Sequence, residues 1–292
     1  MSRRFRYNPG AMTTDADKRI TVRDLRKWAR EGQRFAMLTC YDATTAAWLW
    51  RGGLRTILVG DTAAQVILGH DSTLPATMPF MLEITAAVRR GAPKALIMAD
   101  MPFGSYQASD AEAMANAAAF LKQGGADLVK LEVDASFAPL VERLSHAGVP
   151  VVAHLGARPQ TVRAEGGYRA AGKRAWEAEQ IVEAASEMVA RGAAALLLEA
   201  VPDEVSQRVV EAAVHPATGT PVPVIGCGAG PACHGHVVVL QDLLGLTDWH
   251  PPFAPPAAKL GEAVRDAAAA WVEQVASGAY LREGGTYRMS DV

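Results

Sequence analysis

The sequence has few cysteines, no long hydrophobic run and no excess of charge of either sign. Three cysteines in 292 residues are too few for a disulfide framework and indicate a reducing compartment. The longest apolar runs have only the length of strands, which is too short to cross a bilayer. Because 31 acidic residues nearly balance 29 basic ones, the composition favours neither nucleic acid nor a membrane surface as a partner. We therefore expect a cytoplasmic protein that binds a small molecule.

Targeting signals are also missing at the start of the chain. Residues 1–18 carry arginines but no apolar signal core, and Asp15 and Asp17 argue against a transit peptide. We expect three parts along the chain: a flexible N-terminal tail over residues 1–18, a single domain over 19–280 and a C-terminal tail over 281–292. Within the domain, a capped helix over 21–30 is expected to act as a lid ahead of the main fold. An alanine-rich helix over 258–276 is expected to close the barrel or to meet a neighbouring subunit.

Short apolar runs alternate with helical segments along the domain. Eight of the runs are predicted strands, at residues 35–39, 56–59, 95–99, 128–131, 151–153, 194–198, 222–226 and 237–240. Continuous apolar strands that alternate with helices imply a parallel sheet with helices on its outside. Eight of them favour an α/β fold of the closed (β/α)8 type, a TIM barrel. The alternative is an open Rossmann-like sheet, but no G-x-G-x-x-G follows the first strand to support it.

Polar side chains stand at the ends of five predicted strands. They are Asp61, Asp100, Lys130 with Glu132, His154 and Glu199. In a barrel these strand ends surround one mouth, which is where α/β barrels carry their chemistry. Asp61 and Asp100 are hard oxygen donors suited to Mg²⁺, which typically takes one or two protein carboxylates. The alternative for each is a structural role, capping the helix that follows.

The other four side chains each allow two interpretations or depend on a neighbour. Lys130 lies almost inside a strand and needs an anion, either Glu132 or a bound ligand. Glu132 could hold a metal-bound water. Glu199 ends an apolar strand, where burial would raise its pKa toward the range of a general base, unless it caps a helix. His154 either donates a hydrogen bond to substrate or is a satisfied core histidine.

A cluster of cysteines and histidines lies near the last predicted strand. Cys227, Cys233, His234 and His236 match none of the usual zinc-ligand spacings, so a zinc site is not favoured. The glycines at 226, 228 and 230 are better explained as a tight turn whose backbone approaches a ligand closely. This series is a weak phosphate cradle because it lacks the lysine and hydroxyl residue of a P-loop.

Ten short segments, in order over about residues 20–280, form a recognisable set. They are TCYD at 39–42, VGDT at 59–62, GHDSTLP at 69–75, AAVRRGAP at 86–93, ADMPF at 99–103, VKLE at 129–132, HLG at 154–156, GGY at 166–168, LLLEAVP at 196–202 and VIGCGAG at 224–230. GHDSTLP and AAVRRGAP are the most specific of them. Together these segments resemble the family of ketopantoate hydroxymethyltransferase, also called 3-methyl-2-oxobutanoate hydroxymethyltransferase.

The resemblance implies a TIM barrel of the phosphoenolpyruvate/pyruvate superfamily, a homodecamer that acts in pantothenate synthesis. It implies these roles: Asp61 and Asp100 as Mg²⁺ ligands, Glu132 as the acid that reaches the metal through water, Thr62 and Lys130 as partners of the substrate carboxylate, His154 as a hydrogen-bond partner of substrate, and Glu199 as the base. The implied reaction is Mg²⁺-dependent hydroxymethyl transfer from the cosubstrate 5,10-methylenetetrahydrofolate to 3-methyl-2-oxobutanoate. It passes through a metal-bound enolate and gives 2-dehydropantoate.

Several positions depart from the family pattern. They are Thr62, Ala63 and Ala64 in place of Ser-Leu-Gly, Arg158 in place of Thr, Glu165 in place of an apolar residue, Ala171 in place of Gln, and His234 and His236 in place of Asp and Gln. Arg158, Arg163 and Glu165 form either a solvated, salt-bridged lid or a new specificity element. An alternative function is therefore a diverged 2-oxo acid aldolase or carbon–carbon lyase with the same metal-enolate core. A further alternative, from another class, is a catalytically inactive barrel that serves as a binding or assembly partner.

Overall fold

A computed structural model describes residues 18–280 of the chain. The predicted tails, 1–18 and 281–292, lie outside the described residues except for Lys18. The chain divides into two compact units, Met1–Val238 and Val239–Val292. A single domain over 19–280 stays a prediction. No helix within residues 18–280 combines the length and the apolar character needed to cross a membrane.

Eight parallel strands in the first unit close into a barrel in sequence order. They are β1 (Phe35–Thr39), β2 (Thr56–Val59), β3 (Leu96–Asp100), β4 (Leu128–Glu132), β5 (Val151–Gly156), β6 (Ala195–Glu199), β7 (Val224–Cys227) and β8 (Gly235–Val238). The last strand pairs back to the first, with Gly235 opposite Phe35. The predicted (β/α)8 barrel is confirmed, and the closed strand order excludes the open Rossmann-like sheet.

Helices lie ahead of β1 and in most of the connections between strands. In the first unit they are α1 (Val22–Arg30), α2 (Ala43–Arg51), α3 (Ala63–Val66), α4 (Met78–Gly91), α5 (Asp110–Ala119), α6 (Ala138–His146), α7 (Val162–Glu165), α8 (Ala175–Ala190) and α9 (Asp203–Ala212). A π-helical turn, Phe120–Gly124, extends α5, and 3₁₀ turns lie at Ala135–Phe137 and Pro159–Thr161. The second unit contains α10 (Leu240–Leu243) and α11 (Leu260–Ala276).

The barrel has two apolar layers. The interior layer is filled by alternate strand residues: Met37, Leu58, Leu96, Met98, Leu128, Val152, Leu197, Ile225 and Val237. The second layer, between strands and helices, includes Ile57, Val59, Met81, Phe120 and Leu196, all fully buried. Strand side chains therefore point alternately to the two layers, as parallel strands covered on both sides require. The polar residues that end the strands emerge above the interior layer.

Helix α1 begins at a capping box, in which the Thr21 backbone N–H donates to Asp24 Oδ2 at 2.8 Å. Its Leu25 is fully buried in the interior layer of the barrel. The chain just before the helix bonds to the amino-terminal ends of the strands, since Ile20 N–H donates to Lys94 O at 2.9 Å. The helix expected as a lid therefore covers the end of the barrel opposite to the carboxyl ends of the strands.

Gly91 ends α4 at a very close approach to α2. A Cβ at this position would lie 2.1 Å from the backbone oxygen of Ala43. We expect Gly91→Ala to lower the free energy of unfolding by about 2 kcal/mol or more, because a backbone contact cannot move aside. Thermal or urea unfolding measures it. Gly52→Ala is the matched control, with nearest atoms at 3.3 Å, and equal stability of the two variants would contradict the explanation.

Candidate active site

Strands β2 to β6 bring six predicted side chains to one end of the barrel. They are Asp61, Asp100, Lys130, Glu132, His154 and Glu199. Contacts link them into a chain: Asp61 N–H donates to Asp100 Oδ2 at 3.1 Å, Lys130 Nζ lies 3.1 Å from the same oxygen and 3.2 Å from His154 Nδ1, and His154 Nε2 lies 3.5 Å from Glu199 Oε2. Glu132 joins the chain through its Oε1, which lies 3.8 Å from His154 Nδ1. All but Glu199 are buried. Residues distant in the sequence thus form one cluster at the mouth.

Neither Asp61 nor Asp100 caps a helix. Helix α3 has Thr62 at its N-cap and no side-chain cap, while α5 is capped by Ser109, whose Oγ accepts from Glu112 N–H. Asp100 instead uses one oxygen to receive the backbone N–H of Asp61 and the ammonium of Lys130. The alternative role for these two carboxylates, capping the helix that follows, is therefore excluded.

The carboxylates at the mouth are arranged for a cation. Burial raises the pKa of Asp100 to about 7, with the charge of Asp61 adding to the shift and Lys130 opposing it. Burial also raises the pKa of Asp61, and that of Glu132 well above its ordinary value. Asp100 Oδ1 and Glu132 Oε1 are buried without a hydrogen-bond partner among the described residues. A further positive charge would compensate these carboxylates.

This donor set fits Mg²⁺. Within residues 18–280, no group of three or more His, Cys, Asp and Glu side chains forms a complete metal cage. Mg²⁺ does not need one, because it takes one or two carboxylates and keeps water or substrate oxygens in its other positions. Asp61 and Asp100 are the residues that could hold it, and Glu132 of the same cluster could act through a water.

Lys130 is buried inside β4, and its anion is not the one expected. Its Nζ pairs with Asp100 on the neighbouring strand and not with Glu132, which corrects one of the two expected partners, while the other, a bound ligand, stays a prediction. Burial lowers the pKa of Lys130, but the charges of Asp100, Asp61, Glu132 and Glu199 outweigh burial and raise it above the ordinary value. The side chain is therefore a permanent ammonium at the mouth.

His154 is neutral and its proton can be located. Burial and the nearby Lys130 lower its pKa well below the ordinary value. Its Nδ1 lies 3.2 Å from Lys130 Nζ, and an ammonium can only donate, so Nδ1 must accept. The ring proton is therefore on Nε2, an atom that has no hydrogen-bond partner within the described part of the chain. His154 offers a neutral donor on the Glu199 side.

Glu199 stands at the rim, with 27 % of its side chain exposed. Burial of the rest, opposed by Lys130 and assisted by Asp61 and Asp100, raises its pKa to about 7. It does not cap α9, which begins after Pro202 with no side-chain cap. The next residue, Ala200, has a φ of 47°, which is rare for a residue with a Cβ. Two backbone hydrogen bonds hold this bend next to Glu199: Ala200 N–H donates to Cys227 O, and Ala171 N–H donates to Ala200 O.

Thr62 begins α3 beside Asp100. A Cβ on Gly60 would lie 3.5 Å from Asp100 Oδ2 and 3.6 Å from Thr62 Oγ1, so the two side chains flank that glycine. The Thr62 hydroxyl makes no cap hydrogen bond. It can therefore meet a ligand that also contacts Asp100.

Three polar residues of the site were not predicted from the sequence: Tyr41, Tyr106 and Gln160. Gln160 Nε2 donates to Asp61 Oδ2 at 2.8 Å, and its backbone N–H donates to Glu132 Oε2 at 2.9 Å. The Tyr106 hydroxyl donates to Gln160 Oε1 at 2.8 Å. Tyr41 follows β1 by two residues, as Asp61 follows β2, and its pKa is raised by burial and by nearby Asp100 and Asp61. A search of the predicted strand ends for neutral polar residues, and not only for charged ones, would have found Tyr41.

Side chains at the rim are paired within the chain. Arg158 Nη1 lies 2.7 Å from Asp134 Oδ2, and Glu165, the last residue of α7, pairs with Arg169 in the loop that follows. With Ala171 they line a cavity of about 470 Å³. These ion pairs favour the salt-bridged lid over a new specificity element.

The cysteine and histidine cluster does not form a metal site in the described residues. Cys233 is buried, and neither Cys233 nor Cys227 forms a disulfide among the described residues. His234 Nδ1 accepts from Val224 N–H at 3.1 Å, so this histidine serves the backbone.

Comparison with known proteins identifies relatives along nearly the whole chain. A family model described as ketopantoate hydroxymethyltransferase matches residues 19–283. A protein of Thermobifida fusca named 3-methyl-2-oxobutanoate hydroxymethyltransferase is 40% identical, over 96% of this chain and 97% of that protein. A protein of the same name from Frankia alni is 42% identical, over 93% of this chain and 88% of its own.

Solved structures extend the likeness of fold. A phosphoenolpyruvate phosphomutase from Streptomyces platensis subsp. rosaceus superposes with a TM-score of 0.59 at 13% identity, covering 89% of this chain and 88% of that one. A phosphonopyruvate hydrolase in complex with oxalate and Mg²⁺ superposes with a TM-score of 0.56 at 15% identity, covering 88% and 87%. At these identities the likeness concerns the fold alone. The family model and the relatives at about 40% identity show that this chain belongs to the ketopantoate hydroxymethyltransferase family.

Proposed function

We propose that this protein transfers a hydroxymethyl group from 5,10-methylenetetrahydrofolate to 3-methyl-2-oxobutanoate with Mg²⁺, giving 2-dehydropantoate for pantothenate synthesis. The observation that carries the proposal is the cluster of Asp61, Asp100, Lys130, His154 and Glu199 at one mouth. In it, paired acids, an ammonium, a neutral donor and a base near pKa 7 face the same space. Relatives at about 40% identity are named for this reaction.

The substrate is a small anion with two adjacent oxygen-bearing carbons. Lys130 and the hydroxyl of Thr62 would bind its carboxylate. Asp61 and Asp100 would hold Mg²⁺, with Glu132 behind a water, and the ion would supply positive charge beside the keto oxygen. The Nε2–H of His154 would donate a hydrogen bond to a substrate oxygen. Because these groups surround a buried space, the charges act with little screening by water.

The first chemical step is proton removal. The Glu199 carboxylate takes the proton from C3 of the 2-oxo acid, and the electron pair of that C–H bond moves into an enolate. Water cleaves both carbon–nitrogen bonds of the folate's methylene bridge, each electron pair stays on its nitrogen and takes a proton of that water, and tetrahydrofolate and a formaldehyde unit result. C3 of the enolate then forms a bond to the formaldehyde carbon while the electron pair of its C=O bond moves onto oxygen. That oxygen takes the proton held by Glu199, which gives 2-dehydropantoate and restores the base.

Two assays test this proposal separately. In D₂O with Mg²⁺ and no folate, 3-methyl-2-oxobutanoate should exchange its C3 proton, which proton NMR detects. With 5,10-methylenetetrahydrofolate added, 2-dehydropantoate should form. Exchange without product would locate the error in the one-carbon donor. Neither exchange nor product, combined with turnover of other 2-oxo acid and aldehyde pairs, would contradict the proposed reaction.

The C3 exchange should depend on pH through Glu199. A general base acts in its ionised form, and the pKa of this carboxyl is raised to about 7. We expect the exchange rate to fall about tenfold per pH unit below pH 7 and to be level above it. The measurement is the NMR exchange rate between pH 4 and 9 with saturating Mg²⁺. A transition near pH 4.5, the ordinary value for glutamate, would contradict the assignment.

The alternative is a diverged aldolase or carbon–carbon lyase that uses the same acids and base. It rests on the rim positions Arg158, Glu165 and Ala171, which line the cavity of about 470 Å³. Cleavage or synthesis with other 2-oxo acids in the same assays would favour it. A catalytically inactive barrel is less consistent with two buried carboxylate oxygens, Asp100 Oδ1 and Glu132 Oε1, that have no hydrogen-bond partner among the described residues, because such atoms are costly unless a ligand compensates them.

Assembly as a homodecamer is a proposal taken from the family resemblance. Light scattering of the purified protein would measure the number of subunits. A smaller assembly that retained full turnover would contradict the decamer without affecting the proposed reaction.

A further inference from the structure

Gln160 lies on the 3₁₀ turn Pro159–Thr161, directly after the strand that carries His154, and only 4% of its surface is exposed. Its side chain has no unused hydrogen-bonding atom. Nε2 donates to Asp61 Oδ2 at 2.8 Å and to Met101 O at 3.0 Å, while Oε1 accepts from Tyr106 at 2.8 Å. A neutral residue thus contacts one proposed metal ligand directly.

The neighbours determine which way the amide points. The carbonyl of Met101 and the carboxylate of Asp61 can only accept, so the NH₂ group must face both. Oε1 then faces the hydroxyl of Tyr106, whose single proton has two acceptors, Gln160 Oε1 at 2.8 Å and the backbone oxygen of Glu132 at 3.0 Å. That hydroxyl in turn accepts from Glu132 N–H at 3.1 Å. A reversed amide would place oxygen against oxygen twice in a buried site, so a single orientation is stable.

The same residue also reaches the second carboxylate through its backbone. Gln160 N–H donates to Glu132 Oε2 at 2.9 Å, which leaves Oε1 of Glu132 buried and without a partner among the described residues. A carboxylate with one oxygen held by an N–H presents its other oxygen in a defined direction. Gln160 therefore restrains Asp61 and Glu132 together, and it does so without adding charge to a site that already holds several acids.

We propose that Gln160 is a positioning residue for the divalent metal. Its amide orients Asp61, its backbone orients Glu132, and Tyr106 holds the amide in place. This inference rests on the proposed function, because that proposal assigns Mg²⁺ to these carboxylates. The side chain itself touches neither the metal nor the substrate in this role, so its removal should weaken metal binding before it affects any chemical step.

The test measures metal binding without turnover. Mn²⁺ is titrated into the full-length protein, and free Mn²⁺ is followed by electron paramagnetic resonance. Gln160→Met keeps the side-chain length but removes the amide, and we expect its Kd for Mn²⁺ to rise about 10- to 100-fold. Gln107→Ala is the matched control: Gln107 donates to Gln160 Oε1 at 3.3 Å but touches neither carboxylate, and its Kd should stay within about twofold.

Folding and function are read separately. Thermal unfolding of both variants checks the fold, and Gln160→Ala gives a second variant if the thioether packs badly. An unchanged Kd in folded Gln160→Met and Gln160→Ala would overturn the positioning role. Wild-type protein that binds no Mn²⁺ would overturn both this inference and the metal proposal. Weakened Mn²⁺ binding in variants of a protein that forms no 2-dehydropantoate would support the positioning role while overturning the proposed reaction.

Discussion

Replacing Glu199 by glutamine should reduce both C3 exchange and product formation by about 10³-fold, because the amide cannot accept the proton that a carboxylate takes. Glutamine has nearly the same shape, and the 27% exposure of Glu199 leaves room for it at the rim. Substrate binding should persist, since Lys130 and Thr62 remain. Enzyme kinetics should therefore show a lower kcat with a KM changed by only a fewfold.

The control for this variant is Glu165→Gln. Glu165 also lies at the rim, but it pairs with Arg169 on the surface of the lid. Its replacement should leave kcat within about twofold, because exposed ion pairs contribute little. If Glu199→Gln kept more than a tenth of the wild-type kcat, another group would have to be the base.

Replacing Asp61 by alanine should abolish turnover without unfolding the protein. A ligand of the proposed metal contributes several kcal/mol to stabilising the transition state, so a loss of about 10³-fold or more is expected. The fold should lose nothing at pH 8. Because the pKa of Asp61 is raised above its ordinary value of 3.8 in the folded chain, its ionised form is less favourable there than in the unfolded chain above pH 4. The Tm should therefore stay equal or rise.

Asp127→Ala is the matched control for that variant. Asp127 precedes β4 at the opposite end of the barrel, where it pairs with Arg89 and Arg19 and accepts from Ile97 N–H at 2.8 Å. Its loss should lower the Tm, since a half-buried Arg89 is left with an unmet charge, at a cost of about 2 kcal/mol. Its kcat should not change. Near-normal turnover in Asp61→Ala would show that the metal assignment is wrong.

The fold could be predicted from the sequence where apolar runs are separated by clear helices. The bounds predicted for β1 and β2 agree with those observed. Strand β5 continues beyond its predicted end at residue 153, because His154 pairs with Leu197 of β6. The sequence predicts an end there because His154 is polar. The four-residue helices α3 and α7 were missed, because one helical turn leaves no periodic pattern to recognise.

The site was predictable where a residue is charged. A buried Asp, Glu or Lys is costly, so its position at a strand end calls for an explanation, whereas a glutamine such as Gln160 does not. The ion pair between Lys130 and Asp100 was missed for a different reason. Strand register sets Asp100 directly beside Lys130, while Glu132 is two residues along the same strand. Register between parallel strands is a property of the closed barrel and is not visible in one strand's sequence.

The closure of the barrel has a consequence for how the chain folds during synthesis. Strand β1 can pair with β8 only after residue 235 has been synthesised, because Phe35 lies opposite Gly235. Contacts so distant in sequence form slowly. The strands that carry Asp61, Asp100, Lys130, His154 and Glu199 are consecutive, so they can pair as each leaves the ribosome. The acidic mouth is then present as an open curved sheet before its outer strands meet. At that stage one edge of β1 has no strand paired to it, and at this edge the nascent chain is most exposed to incorrect strand pairing.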